Sequence, residues 1–450
     1  MKPLRSLFTL CLALLLFLSS TSAAQAFCGF FVAKADTDLY NQASQVIIAR
    51  DGDRTILTMA NDYQGEVADF AMVVPVPVVL KEEQVKVGDP NVLKRLDDFS
   101  APRLVEYFDE NPCAPIRPPV LMRPAPASGD RLRQEAPQEE VDLGVTVEAE
   151  FTVGEYDIVI LSAEESQGLE TWLRQNEYNI PTGAHELLQP YIRQELKFFV
   201  AKVNLDEFEK SETQNLRPLQ MAFESPRFML PIRLGMLNAQ GDQDLIVYLL
   251  SPKGQVELTN YRTVKIPSNV DVPEFVQEEF PDFYTTMFQQ SYETENKEVA
   301  FLEYTWNMAW CDPCSSPVLN REELHKAGVF WLGGNSASGR IAPPNNNVVI
   351  TRLHVRYSRN KFPEDLMFQE TGNQETFQGR YVIRRPYRGE MNCAAAAPYR
   401  AQVRDRQEQE VRNLVKLTGW KRTEVYPKVD WLVERPDPDP TPWWQNVFGE

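Results

Sequence analysis

The chain has 450 residues and a formal charge of -18, from 46 basic and 64 acidic side chains. So acidic a surface disfavours DNA, RNA and anionic bilayers, whose phosphates are held by lysine and arginine. Apolar residues at 43% and aromatics at 11% exclude a disordered chain and supply core enough for one large body or several domains.

The chain opens on MKPLRSLFTLCLALLLFLSSTSAAQAFCGFF. Lys2 and Arg5 precede an apolar run, Leu7 to Leu18, and a small, polar stretch closes on Ala24-Gln25-Ala26. A basic head, an apolar middle and an A-x-A exit predict that residues 1–26 are a cleavable export signal. The apolar run is shorter than the ~20 residues that span a bilayer. The large Phe27 before Cys28 argues against lipidation. The expected mature chain starts near Phe27, has no membrane span, and resides in the periplasm, at the cell surface or in the medium.

Residues 27–110 read as a β-rich N-terminal subdomain. Val46 to Ala49 and Thr55 to Met59 flank the turn formers Asp51-Gly52-Asp53, which predicts a hairpin. In DFAMVVPVPVVL, Pro75 and Pro77 lack N–H donors, which suits an edge strand or a bulged exit. Short helices are expected over Pro90 to Phe99 and over Leu104 to Phe108. Residues 111–140 carry prolines 112, 115, 118, 119, 124, 126 and 137 and read as a linker or surface loop.

Residues 141–390 read as the main body. VDLGVTVEAEFTVGEYDIVILS holds two alternating strand runs. Ser162 and Glu165 have capping-box spacing, which predicts a helix carrying Leu169, Trp172 and Leu173 inward. Leu187, Leu188, Tyr191, Ile192 and Leu196 share one helical face before the period changes to a strand at Phe198 to Val203. Strands are expected at Leu219 to Phe223, Phe228 to Leu234, Leu245 to Leu250 and Gln255 to Tyr261, the last two joined as a hairpin by Ser-Pro-Lys-Gly. Asp271 to Glu298 is acidic, aromatic-rich and expected to be helical in part. Next, Leu302, Tyr304, Trp306, Met308 and Trp310 alternate with Glu303, Thr305 and Asn307, which predicts an apolar face and a polar one. In NNVVITRLHVRYS, Val349, Thr351, Leu353, Val355 and Tyr357 face one way, and Arg352, His354 and Arg356 the other. Residues 391–450 are expected to form a charged helix to about Thr418 and a flexible tail.

Trp310-Cys311-Asp312-Pro313-Cys314 is one substitution from a thioredoxin redox loop. Such a loop needs a helix behind it to lower the first cysteine's pKa. Pro317 and the short helical stretch Asn320 to Ala327 do not supply the long helix of that design. Cys311 and Cys314 therefore read as a tight structural disulfide, with a redox pair, Cys311 as nucleophile and Cys314 as resolver, as the alternative. A second alternative is zinc on Cys311, Cys314, His325 and His354, which have the ligand types but no finger spacing. His354 lies among arginines, whose charge opposes a cation, and His325 reads as solvent-facing. With Cys11 in the signal, Cys28, Cys113, Cys311, Cys314 and Cys393 remain, an odd number. Once Cys311 and Cys314 close, the expected second pair is Cys28 with either Cys113 or Cys393.

No nucleophile elbow, zincin, phosphate-loop or dinucleotide motif is present in the sequence. Gly333 to Arg340 reads as a flexible loop. Asp36, Asp38, Asp51 and Asp53 have calcium-compatible chemistry but read as turn residues.

Three blocks carry a family resemblance: CGFFVAKADTDLYNQASQVIIARDGDRT with DFAMVVPVP; LPIRLGMLNAQGDQDLIVYLLSPKGQVELTNYRT; and FLEYTWNMAWCDPC with TRLHVRYSRNKFPEDLMFQET and FQGRYVIRR. They resemble the bacterial exported-protein family catalogued as domain of unknown function 2330, over about Phe27 to Pro386. The resemblance implies an exported, envelope-associated or secreted protein and brings no catalytic residues. The expected fold is α+β, mostly antiparallel sheets with a few packing helices, stapled by disulfides. The expected role is non-enzymatic, structural or binding, with no cofactor and an unidentified protein or envelope partner.

Overall fold

In the computed structural model, strands Ser44–Asp51 and Arg54–Met59 pair antiparallel around the predicted turn, where Gly52 takes φ +62°. Only a residue without Cβ adopts that conformation freely. The structure describes residues 30–31, 40–41, 44–60, 63–64, 71–114, 145–176, 183–210, 216–237, 241–310, 316–332 and 347–433. The Pro-rich run beyond Ala114, the glycine-rich run at 333–340, the signal segment and the tail from 434 lie outside them.

The hairpin sits inside a large sheet. Its strand order is Arg262–Lys265, Val299–Asn307, Val349–Tyr357, Gln243–Ser251, Ser44–Asp51, Arg54–Met59, Leu219–Glu224 and Val85–Val87, with Phe377–Gln378 also paired to Val299–Asn307. Most neighbours are antiparallel. Two pairs are parallel: Gln243–Ser251 with Ser44–Asp51, and Arg262–Lys265 with Val299–Asn307. The sheet thus draws strands from both sides of residues 111–140.

A second sheet orders Phe30–Phe31, Ala71–Val76, Lys197–Val203, Tyr156–Ala163 and Val145–Val153. One apolar core joins the two sheets, with Val46, Leu57, Leu245 and Leu353 from the first and Met72, Ile158 and Phe199 from the second. The opposite face of the large sheet carries two separate apolar clusters. Helix Pro90–Ser100 covers one with Leu93, Leu96 and Phe99, over Tyr248, Trp306 and Ile350. Helices Phe280–Thr294 and Ala396–Thr418 cover the other with Phe283, Phe288, Val411 and Leu414, over Phe301 and Tyr381. Between these clusters lies the polar site described below. The fold is α+β, as the patterning predicts.

Several local expectations differ from the structure. Leu104 to Phe108 is not helical: strand Arg103–Phe108 pairs in parallel with Arg380–Arg385. A stretch that short cannot repay helix nucleation, whereas the partner strand satisfies its backbone. Ser162 is no cap. It lies within strand Tyr156–Ala163 and donates to Glu148, and the next helix, Ser166–Gln175, starts after Glu165 without a side-chain cap. Its Leu169 and Leu173 are buried as expected. Ser-Pro-Lys-Gly makes no hairpin. Both flanks of Gln243–Ser251 are occupied, so the chain leaves that sheet and Val256–Leu258 pairs with Leu366–Glu370. The run Phe228 to Leu234 supplies only the short strand Met229–Leu230 before a 3-10 turn, Arg233–Leu237.

Candidate functional site

The site begins with an irregularity in strand Val299–Asn307. Phe301 lies opposite His354 and Leu302 opposite Leu353, but Tyr304 lies opposite Arg352, so one extra residue, Glu303, is inserted as a bulge. A bulge turns its extra side chain out of the regular alternation. Leu302 faces the inter-sheet core, while Tyr304 and Trp306 face the helical side. Glu303 joins the helical side too, where it reaches Arg352 and His354. This corrects the simple alternation, which put Leu302 with Tyr304 and Glu303 with Thr305. Thr305 does face away, opposite Thr351. Trp310 stands beyond the strand, 51% exposed and edge-on to Trp306 at 4.9 Å, so it is not part of a buried face.

Arg352, His354 and Arg356 project from one face of strand Val349–Tyr357, as predicted, and each meets an acid from another element. Arg352 Nε donates to Glu303 Oε2 at 2.6 Å, and its NH1 to Asp97 Oδ1 of helix Pro90–Ser100 at 2.6 Å. Tyr248 OH donates to the same Asp97 oxygen at 2.9 Å. His354 Nδ1 lies 2.8 Å from Glu303 Oε1 and its Nε2 3.1 Å from Asp244 Oδ1. Arg356 grips both oxygens of Asp244 at 2.7 Å and donates to Gln289 Oε1 at 2.6 Å. Tyr284 donates to Glu303 from helix Phe280–Thr294. The His354 ring stacks on Phe288 of that helix at 3.8 Å, and the Arg356 guanidinium lies over the same ring at 4.9 Å.

The electrostatics follow from this geometry. Burial pushes the Glu303 carboxyl up, but the Arg352 and His354 charges and the Tyr284 hydrogen bond overcome it and bring it down to about 2. Asp244 is likewise held well below the usual carboxylate range: His354 and the Arg356 fork outweigh its burial. Burial lowers His354, yet Glu303 and Asp244 together raise it. Each ring nitrogen lies within hydrogen-bond distance of a carboxylate, an arrangement that an imidazolium, with a proton on both nitrogens, satisfies in full. Burial and the neighbouring acids raise Tyr284 and Tyr248, which remain neutral donors. Three acids, Asp97, Asp244 and Glu303, thus balance Arg352, Arg356 and His354.

Both His354 nitrogens are turned to carboxylates, so the ring presents neither of them to a substrate or a metal. Among the described residues, no group of three or more His, Cys, Asp or Glu is placed to hold a metal ion. His325 is exposed on helix Arg321–Lys326, whose first turn is capped by Asn320. Cys28, Cys311 and Cys314 lie outside the described residues, so the tight pair, the redox pair and the zinc set are not visible. Asp36 and Asp38 lie outside too, while Asp53 pairs with Arg50 at 3.6 Å. Cys113 and Cys393 are bonded to each other, with Cα atoms 5.8 Å apart. That corrects the expected pairing of either with Cys28: strand Arg103–Phe108 beside Arg380–Arg385 brings the two cysteines to the same end of the small sheet.

Sequence reasoning missed Asp97, Asp244, Glu303, Tyr248 and Tyr284. One signal was present. Three cationic positions on one face of an apolar strand require acids opposite them if that face is buried.

The chain matches, over residues 22–369, the family described as an uncharacterized protein conserved in bacteria, domain of unknown function 2330. It belongs to that family. No curated protein and no solved structure matches it. The matched region of this member of domain of unknown function 2330 contains every residue of the charged network. It stops short of Arg380–Arg385 and Cys393, so the C-terminal helix and half of the disulfide lie beyond it. It also stops before the Pro386 limit that the resemblance suggested.

Proposed function

We propose that this protein is an exported, non-enzymatic bacterial envelope or secreted protein, structural or binding in role and stabilised by its disulfide. The observation that carries the reading is the Cys113–Cys393 bond in a chain that opens with a basic, apolar, A-x-A leader. Such bonds persist in oxidising compartments and are rare in the bacterial cytosol. The non-enzymatic part rests on the consumption of the central polar groups by one another. Glu303 is buried, Asp244 and His354 are half-buried, and each is tied into ion pairs.

The test is to express the full chain in a bacterium, fractionate the cells and sequence the N-terminus of the product. A mature form starting near Phe27, outside the cytoplasm, with Cys113 and Cys393 linked in a non-reducing digest, is the expected result. A full-length chain kept in the cytoplasm with both thiols free would overturn export. Turnover in an insulin-reduction assay, abolished by Cys311→Ser, would replace the non-enzymatic reading with a thiol–disulfide oxidoreductase.

A further inference from the structure

Helix Phe280–Thr294 lies over the charged network and is tied to it at three points. Tyr284 bonds Glu303, Phe288 stacks on His354, and Gln289 accepts from Arg356. Tyr284 and Phe288 stand four residues apart on one helical face, and Gln289 follows at its edge, so this side of the helix meets the network directly. The carboxylate oxygens beneath are already engaged: Glu303 by Arg352 and Asp244 by Arg356. The His354 ring fills the space between these two acids and turns one nitrogen to each.

We propose that the His354 proton is a fastener that holds helix Phe280–Thr294 on the large sheet, closed when the ring is an imidazolium and loosened when it is neutral. A neutral ring keeps one N–H, so one nitrogen would present a lone pair to a carboxylate at hydrogen-bond distance. That contact is repulsive, and the ring must turn or withdraw. Because the ring is stacked on Phe288, its movement is carried to the helix. The groups facing His354 all favour the charged form or are neutral. Glu303 comes from Val299–Asn307, and Asp244 and the neutral Tyr248 come from Gln243–Ser251. Tyr284 and Tyr292 come from the helix, and Asp97 stands beyond Arg352. The opposing cations, Arg352 and Arg356, lie on its own strand and are each committed to an acid. Tyr381 of Arg380–Arg385, whose hydroxyl lies on Met287 Sδ, stays neutral, raised chiefly by its burial and further by the Glu303 charge. The sign is therefore fixed: the fastener is fully closed in acid, and it opens as the pH rises through the raised pKa of the folded-state ring.

The experiment uses the full chain with isotope-labelled histidine. The protein has only three histidines, so the imidazole resonances are assigned with His185→Gln and His325→Gln. The state of His354 is followed from pH 5.5 to 10, alongside amide hydrogen exchange in 280–294 corrected for its intrinsic pH dependence. An imidazolium at pH 7, and helix protection that falls at least tenfold with the same midpoint as the His354 titration, is the expected result. A ring that is neutral at pH 7 would overturn the proposal. So would helix protection that stays flat while His354 titrates. In His354→Gln the pH dependence of protection should disappear. If that variant does not fold, the wild-type titration and exchange curves decide the question by themselves.

Discussion

Glu303 and Arg352 form an ion pair at 2.6 Å with side chains only 1% and 7% exposed, and the bulge is what lets them meet. Pairing two buried charges barely exceeds the cost of desolvating them, but leaving one without its partner is expensive. Glu303→Ala should therefore lower stability by about 3–5 kcal/mol, since both Arg352 and His354 lose an acceptor. Glu303→Leu with Arg352→Met removes both charges and should cost clearly less than the sum of the single changes. Urea-unfolding midpoints of the wild type, Glu303→Leu, Arg352→Met and the double variant test this, and strict additivity would mean the pair is not coupled.

The disulfide acts on a part of the fold outside the family match. Beneath it, Arg406 of helix Ala396–Thr418 grips Asp109 at 2.8 and 3.1 Å, and Tyr399 donates to the same acid at 2.7 Å. Losing such a covalent tie costs a domain roughly 2–5 kcal/mol. Cys393→Ser should accordingly speed proteolytic removal of the C-terminal helix while leaving the large sheet folded. Dithiothreitol should do the same to the wild type and add nothing to the variant. Equal cleavage rates in all cases would show that apolar packing and the ion pairs hold the helix without the disulfide.

What the sequence made legible was local. The hairpin at Asp51-Gly52-Asp53 and the alternation of Val349–Tyr357 are written in neighbouring residues, and both are present. Arg352 and Asp97, by contrast, lie 255 residues apart, and Cys113 and Cys393 lie 280 apart. Nothing local encodes such pairings. Glu303 was misplaced because a single inserted residue reverses the face of everything on one side of it. Leu104 to Phe108 was misread because its conformation is decided by a partner strand near residue 383.

Gly328 offers a test of how helix Arg321–Lys326 seats on the hairpin. Its φ is +93°, and an added Cβ would lie 2.7 Å from Ile56 Cγ2. The left-handed backbone and the overpacked contact act together, so Gly328→Ala should destabilise by roughly 1–3 kcal/mol. A calorimetric melting temperature equal to that of the wild type would show that the hairpin yields freely.

Glu410 gives a second dependence on pH, distinct from that of His354. It lies on helix Ala396–Thr418, is 2% exposed, and its Oε1 has no hydrogen bond among the described residues, with Arg406 Nε 3.5 Å away. Burial, reinforced by Asp271 and Glu274 and opposed by Arg406 and Arg384, pushes it up to about 8. The folded protein thus keeps a proton that the unfolded chain releases from about pH 4.3 upward. The stabilisation is whole below that pH, declines as pH rises, and is gone above about 8. Glu410→Gln removes the titration while keeping the shape. Between pH 5 and pH 9 the variant should gain on the wild type by on the order of 2–4 kcal/mol. Thermal melts of both proteins across pH 5 to 9.5 check this. A stability difference that does not change with pH would mean that Glu410 is already ionised in the folded protein.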